Sequence, residues 1–328
     1  MDITGWQHGT VAVNDIDLHY VESGSGPLVL LVHGFPESWY SWRHQIPALA
    51  AAGHRVVAID VRGYGRSSVP TAVEDYRMLR HVADNVALVA ALGEREAVVV
   101  GHDWGAPIAW ASAQLRPDVF TAVAGLSVPF APSGPTRPSD AFEDMGGEEE
   151  FYIAYFQQPG RAEAEISDDV RRWLRGIYWS ISGEGMAEQL AAGGPVVGTI
   201  APGGRMDDRF THPERMPDWL TEEDLDFYVA EFSRSGFTGA LHRYRNVDRD
   251  WEDLAVWGHA PIRVPSLFIG GELDGPVMWG QRAMARFDRT LPDLRGCHVL
   301  PGCGHWVQQE RPAEVNELLL GFLAEVRS

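Results

Sequence analysis

The chain is almost without cysteine: two in 328 residues, Cys297 and Cys303. Two thiols in a chain of this length make no disulfide framework. They have neither C-x-x-C spacing nor a nearby histidine pair, so no metal site and no cofactor is expected. Positive charge is also scarce. Lys and Arg total 27 against 46 Asp and Glu, a formal net charge of −19. There is no Lys/Arg run, which argues against nucleic acid and anionic membrane surfaces as partners. The acidity reads as solvated surface and favours a neutral or cationic substrate. No apolar stretch runs unbroken for ~18 residues, so no transmembrane helix is expected. The opening "MDITGWQHGT" lacks the basic and apolar regions of a signal peptide. Repeats and low-complexity tracts are absent. The expectation is a reduced, cytoplasmic, soluble protein, monomeric or homodimeric.

What the chain does have is alternation. "VAVNDIDLHYVES" reads as an edge hairpin around an Asn-Asp turn, and "PLVLLVHG" as a strand buried on both faces. "SWRHQIPALAAAG" has helical spacing and closes on glycine. The strand "HRVVAIDVRG" follows, then the long helix "DYRMLRHVADNVALVAALG", with Leu79, Val82, Val86, Leu88 and Val89 on or near one face. Next come the strand "EAVVVGHDWG", the helix "GAPIAWASAQLRPD" and the strand "TAVAGLSVPF". Such alternation predicts an α/β fold, a mostly parallel sheet with helices on both faces. The rhythm breaks from Ala131 to Arg249, where helical and loop signals dominate, and resumes at "VPSLFIGGELD" and "CHVLPGCGHW". We read residues 1–130 and 250–328 as two parts of one core, and 131–249 as a helical cap inserted between them.

The stretch "VVVGHDWGAPIAW" carries the chemistry. Strand, Gly101, Asp103, Gly105 and helix have the form of the Gly-x-nucleophile-x-Gly elbow of α/β-hydrolases, with aspartate in the serine's place. The plainer reading is that Asp103 only caps the helix. Two features speak for a nucleophile. "LVHGFPESW" follows the strand whose loop supplies one oxyanion-hole N–H in that fold; Phe35 and Trp104 would be the two donors. The alternative is that residues 33–36 form a plain turn. The chain order acid-then-histidine is also met, by Asp274 after "SLFIGGEL" and His305 in "GCGHW"; Glu272 is the other candidate acid.

Over roughly residues 5–325 the sequence resembles the epoxide hydrolases of the α/β-hydrolase superfamily, close to the soluble type. The resemblance rests on "HGFPESWYSWRHQIPALAAAGHRVVAIDVRGYGRSS", "GHDWG", "GCGHW" and the cap stretches "YFQQPGRAEAEI" and "GFTGALHRYRN". In that family similar cap stretches carry two tyrosines that point into the active site. The resemblance places them at Tyr155 and Tyr244, with Tyr152 the competing assignment and a further substrate-binding candidate beside Phe35 and Trp104. Similar oxyanion loops often hold a cis proline, so Phe35–Pro36 is expected to be cis.

An aspartate, with an ordinary pKa near ~3.9, is already an anion at neutral pH and needs no base to attack. Attack on an acyl group would give a high-energy anhydride, whereas attack on a saturated carbon gives an ester that water can split. The substrate is then an epoxide or an alkyl halide. Halide leaves as a stable anion; an epoxide oxygen leaves as a strong base and needs a tyrosine donor. A neutral apolar epoxide and water are therefore the expected reactants. Haloalkane dehalogenase is the alternative, although Phe35 stands where many such enzymes carry a halide-binding Asn. Fluoroacetate-type dehalogenases typically have Arg where Trp104 stands. A non-catalytic receptor on the same scaffold is a third reading, opposed by the complete Asp103, Asp274 and His305 set. "GYGRSS" lacks the third glycine of a dinucleotide fingerprint, and Asp60 beside it is given no chemistry. Trp173, Trp179, Phe151 and Phe227 either line a tunnel or pack the cap, and the loop 201–219 is a candidate for shaping an entrance.

Overall fold

A computed structural model describes residues 6–193 and 197–327; the first five residues of the N-terminal stretch lie outside the described residues. The strands are β1 (Gln7–Val13), β2 (Ile16–Gly24), β3 (Leu28–Val32), β4 (Arg55–Ile59), β5 (Ala97–His102), β6 (Phe120–Leu126), β7 (Glu150–Phe151), β8 (Thr199–Ile200), β9 (Ser266–Gly271) and β10 (Leu294–Leu300). Eight of them form one sheet in the order β1-β2-β4-β3-β5-β6-β9-β10. Only the β1–β2 and β2–β4 pairs are antiparallel; β4, β3, β5, β6, β9 and β10 run parallel. The apolar runs sit where both faces must be covered: β3 is buried at every residue, while β1, at the edge, is largely open.

Helices Met78–Ala91 and Gly105–Leu115 bury Val82, Leu88, Ile108 and Ala109 in the core on one face of the sheet. Helices Gln45–Ala51 and Pro312–Arg327 cover the other face with Ile46, Leu49, Val315 and Leu319. Leu79, expected on the apolar stripe, is instead exposed. The inward face of that helix carries Met78, Asp84 and Asn85. Asp84 accepts from the buried Arg62 at 2.7 and 2.8 Å, so a paired charge shares the buried face with Val82, Leu88 and Val89.

Between β6 and β9 lie helices from Pro138–Gly146 to Val247–Asp253, together with the two-residue antiparallel ribbon β7–β8, which the sequence pattern did not suggest. The expected boundary at 249 falls inside helix Val247–Asp253. This helix packs on both Met78–Ala91 and Pro138–Gly146, so it touches the sheet-flanking layer and the insertion at once. Asp250, on the same helix, accepts from the Met78 N–H at 2.6 Å.

Candidate active site

The turn after β5 and the loop after β3 meet closely enough to demand glycine at three places. A Cβ on Gly101 would lie 2.0 Å from the Gly105 carbonyl oxygen, and one on Gly105 would lie 2.0 Å from that of Val32. A Cβ on Gly34 would lie 2.3 Å from Asp103 Oδ1. Asp103 itself sits at φ 49°, a left-handed conformation that a non-glycine residue adopts only under constraint from its surroundings. It is lifted between the end of β5 and helix Gly105–Leu115. Its Oδ1 accepts the Phe35 N–H at 2.7 Å, and the Phe35–Pro36 bond is cis as expected. Trp104 has helical backbone angles at the N-cap of that helix. Its N–H is among the first of the helix, which have no acceptor within it. One expected oxyanion donor is thus seated on the carboxylate, and the other lies next in the chain.

His305 is buried, with Nε2 3.5 Å from Asp103 Oδ2 and Nδ1 2.8 Å from Asp274 Oδ1. Burial alone would lower the imidazole's pKa. The charge of Asp274 and the hydrogen bonds and charges of both carboxylates outweigh it and hold the pKa well above the ordinary value. Glu272, the alternative acid, is turned away and accepts the Gly302 N–H at 2.9 Å. A fourth group was missed from sequence. Ser127, after β6, is buried at φ 71° and places Oγ 3.2 Å from His305 Nδ1.

These groups open into a cavity of about 430 Å³ between the sheet's loops and the helical insertion. Asp103, Asp274, His305, Phe35, Tyr152 and Tyr244 all line it. The Tyr152 and Tyr244 rings lie 6.1 Å apart, edge to face. Burial, joined by the charge of Asp103, raises both phenol pKa values, so both hydroxyls stay protonated. Tyr155 does not reach the cavity. Its hydroxyl donates to the buried Glu165, and Arg161 lies 3.9 Å over its ring. The assignment of a cavity tyrosine to Tyr155 is therefore corrected to Tyr152. Tyr152 and Phe156, four residues apart on helix Tyr152–Gln157, share the face that lines the cavity.

Trp104 is corrected as well. Its ring packs 5.1 Å from Tyr244 with the Arg243 guanidinium 4.8 Å over it, and it forms no part of the cavity wall. Of the four aromatic candidates only Phe151 lines the cavity; Trp173 packs on Phe35 and Phe210, and Phe227 stacks on Tyr40. From the loop 201–219, Met206 reaches the wall. Met145, Leu190, Met278 and Trp279 are exposed residues of the lining, and none of these four was anticipated.

The sequence pattern of the alpha/beta hydrolase fold matches residues 27–166. Epoxide hydrolase B of Mycobacterium tuberculosis is 47% identical over 92% of this chain and 92% of its own. Epoxide hydrolase A of the same organism is 46% identical over 95% of this chain and 96% of its own. This chain belongs to the epoxide hydrolase family. Among solved structures, an epoxide hydrolase from an endophytic Streptomyces is 60% identical, with a TM-score of 0.95, covering 98% of this chain and 96% of that one.

Behind the elbow lies a buried polar network that the family's motifs contain but whose role the sequence did not disclose. Glu37 of "HGFPE" accepts the Gly34 N–H at 2.8 Å and faces His102 Nδ1 at 2.8 Å. Gln308 donates to its other oxygen at 2.9 Å. Burial opposes the charge of Glu37, but His102 and the Gly34 N–H prevail and its pKa falls to about 2. His102 Nε2 in turn meets the His305 carbonyl at 2.7 Å. His33 accepts the Val61 N–H on Nε2 at 3.0 Å, which leaves Nδ1–H to donate to the Gly34 carbonyl at 2.8 Å. Asp60 accepts from the Trp39 and Arg66 N–H groups and pairs with His19.

Proposed function

We propose that this epoxide hydrolase converts a neutral, apolar epoxide to a vicinal diol through an ester on Asp103. The observation that carries the reading is the convergence of Asp103, His305, Tyr152 and Tyr244 on one largely apolar cavity. Oδ1 is held by the Phe35 N–H, so Oδ2 is the attacking oxygen. It bonds to one oxirane carbon, whose C–O bond breaks. The departing oxygen takes a proton from Tyr152 or Tyr244, with the other hydroxyl hydrogen-bonded to it. The insertion, residues 131–249, acts as the cap that supplies both tyrosines.

The second step needs a base. In the resting site His305 is held cationic between two carboxylates. Alkylation removes the charge of Asp103, so the imidazolium loses one partner and gives up its proton to solvent, taking one back when Asp103 is an anion again. Neutral Nε2 then takes a proton from water as the oxygen adds to Asp103 Cγ. The Phe35 and Trp104 N–H groups hold the oxyanion, a contribution of ~2.7–4 kcal/mol per donor in comparable sites. Asp274 orients the ring. Collapse breaks the Cγ–Oδ2 bond, and His305 returns its proton to the diol oxygen. The carboxylic acid left on Asp103 loses the proton that restores the tyrosine.

The cavity wall carries two carboxylates and no Lys or Arg, which supports a neutral rather than an anionic substrate. The two free cysteines, one exposed and one buried, agree with a reducing, cytoplasmic setting. No helix among the described residues is long and apolar enough to cross a membrane.

The test is His305→Gln treated with a reactive aryl epoxide. Turnover should stop while about one equivalent is consumed, and the peptide carrying Asp103 should gain the full mass of the epoxide, since ring opening expels no atom. A matched alkyl halide, which would add its mass less hydrogen halide, should leave no adduct. An epoxide adduct on another residue, or none, refutes the nucleophile.

A further inference from the structure

The loop that carries His305 is tied at almost every backbone group, and most of the ties lead to one place. The His305 N–H donates to the Ile181 carbonyl at 2.9 Å. The Trp306 indole N–H donates to the Tyr178 carbonyl at 2.8 Å. The Gly304 N–H and the Gly183 N–H both donate to Glu310 Oε2, at 3.0 and 2.9 Å, and the Trp306 N–H donates to Glu310 Oε1 at 3.0 Å. One carboxylate thus gathers N–H groups from both sides of His305 and from the segment 178–183 of the insertion. The two backbones touch there: a Cβ on Gly304 would lie 2.2 Å from the Gly183 nitrogen. Ile181, within that segment, lines the reaction cavity.

We propose that Glu310 is a positioning residue that fixes His305 to the cap, so that the seating of the cap sets the aim of the imidazole at the ester. Glu310 touches neither substrate nor reacting atoms and acts through the loop. Burial raises its carboxyl pKa, and the three N–H donors oppose that rise by favouring the anion. Replacing one carboxylate oxygen by an NH₂ group sets a donor against a donor and frees at least one of the three N–H groups. The imidazole is then displaced or loosened. Attack by Asp103 does not use it, whereas water activation does. Hydrolysis of the ester therefore slows and alkylation does not.

The inference rests on the ester mechanism proposed above, and the experiment separates the two. Glu310→Gln and wild type are compared in single-turnover alkylation and in steady state with the same aryl epoxide. Hydrolysis should slow about tenfold, the scale of a sub-ångström misplacement. With hydrolysis limiting, kcat and KM fall together, kcat/KM holds within twofold, and the Asp103 ester accumulates. A merely structural role lowers the melting temperature and the active fraction, dropping kcat and kcat/KM alike with KM unchanged; that result overturns the proposal. Should Glu310→Gln not fold, Gly183→Ala presses on the same junction with Glu310 intact, since its Cβ would lie 2.3 Å from the Gly302 carbonyl oxygen. It should give the same split, and a wild-type kcat and KM in that variant counts against the coupling. Absence of any Asp103 ester in His305→Gln refutes the mechanism itself, whatever Glu310 does.

Discussion

Tyr152 and Tyr155 lie one helical turn apart and differ in what they face, so replacing each by phenylalanine should separate catalysis from stability. Tyr155 donates to Glu165 inside the insertion. Hydrogen bonds to a charged group contribute about 1.5–3 kcal/mol. Glu165 keeps three other donors, Trp173 Nε1 at 3.2 Å, the Met206 N–H at 3.1 Å and the Asp207 N–H at 2.9 Å, which places the loss at the low end. Tyr155→Phe should therefore cost about 1.5 kcal/mol and lower the melting temperature by about 2 °C, with alkylation unchanged within twofold. Tyr152→Phe removes no hydrogen bond of comparable kind but takes one of two donors from the leaving oxygen. Alkylation should slow by up to about 10²-fold, or about 2.7 kcal/mol of barrier. Tyr152→Phe combined with Tyr244→Phe should slow it further, because no neutral donor then meets the alkoxide. The assay is rapid-quench measurement of ester formation with His305→Gln added to every variant, so that the ester persists. Equal slowing by Tyr155→Phe and Tyr152→Phe, or wild-type alkylation in the double tyrosine variant, refutes the assignment.

Two further outcomes follow from the elbow. Gly34→Ala puts a Cβ 2.3 Å from Asp103 Oδ1 and 2.7 Å from Cγ; alkylation should drop by at least about 10²-fold in a folded protein, and an active variant would show that the carboxylate is not held there. Glu37 has its folded pKa depressed from 4.5 to about 2. Its contribution to stability is thus complete above pH 4.5 and is lost as pH falls toward 2. In denaturant titrations the advantage of wild type over Glu37→Gln should shrink across that window, and a difference that does not vary with pH contradicts the pairing with His102.

Much of this protein follows from local order along the chain. Runs such as "LVLLV" leave a strand no exposed face, and glycines flanking Asp103 leave the turn after β5 little freedom, so the parallel sheet and the elbow follow from residues adjacent in sequence. The same holds for Asp274 and His305, which sit in the loops after β9 and β10 and are carried to the same edge of the sheet. The side chains that approach from the insertion obey no such rule. Tyr152 and Tyr155 are equally plausible on a helical wheel, and the choice was made by Glu165, which captures Tyr155, and by the ribbon β7–β8, where the Tyr152 N–H donates to the Gly198 carbonyl at 2.9 Å. The site of Ser127 beside His305, the gathering of distant N–H groups by Glu37 and Glu310, and the packing of Trp104 between Tyr244 and Arg243 have the same origin. A carboxylate's partners, once buried, are whichever donors the packing brings within about 3 Å. Periodicity along one segment determines which face is buried, and tertiary contact alone decides what that face meets.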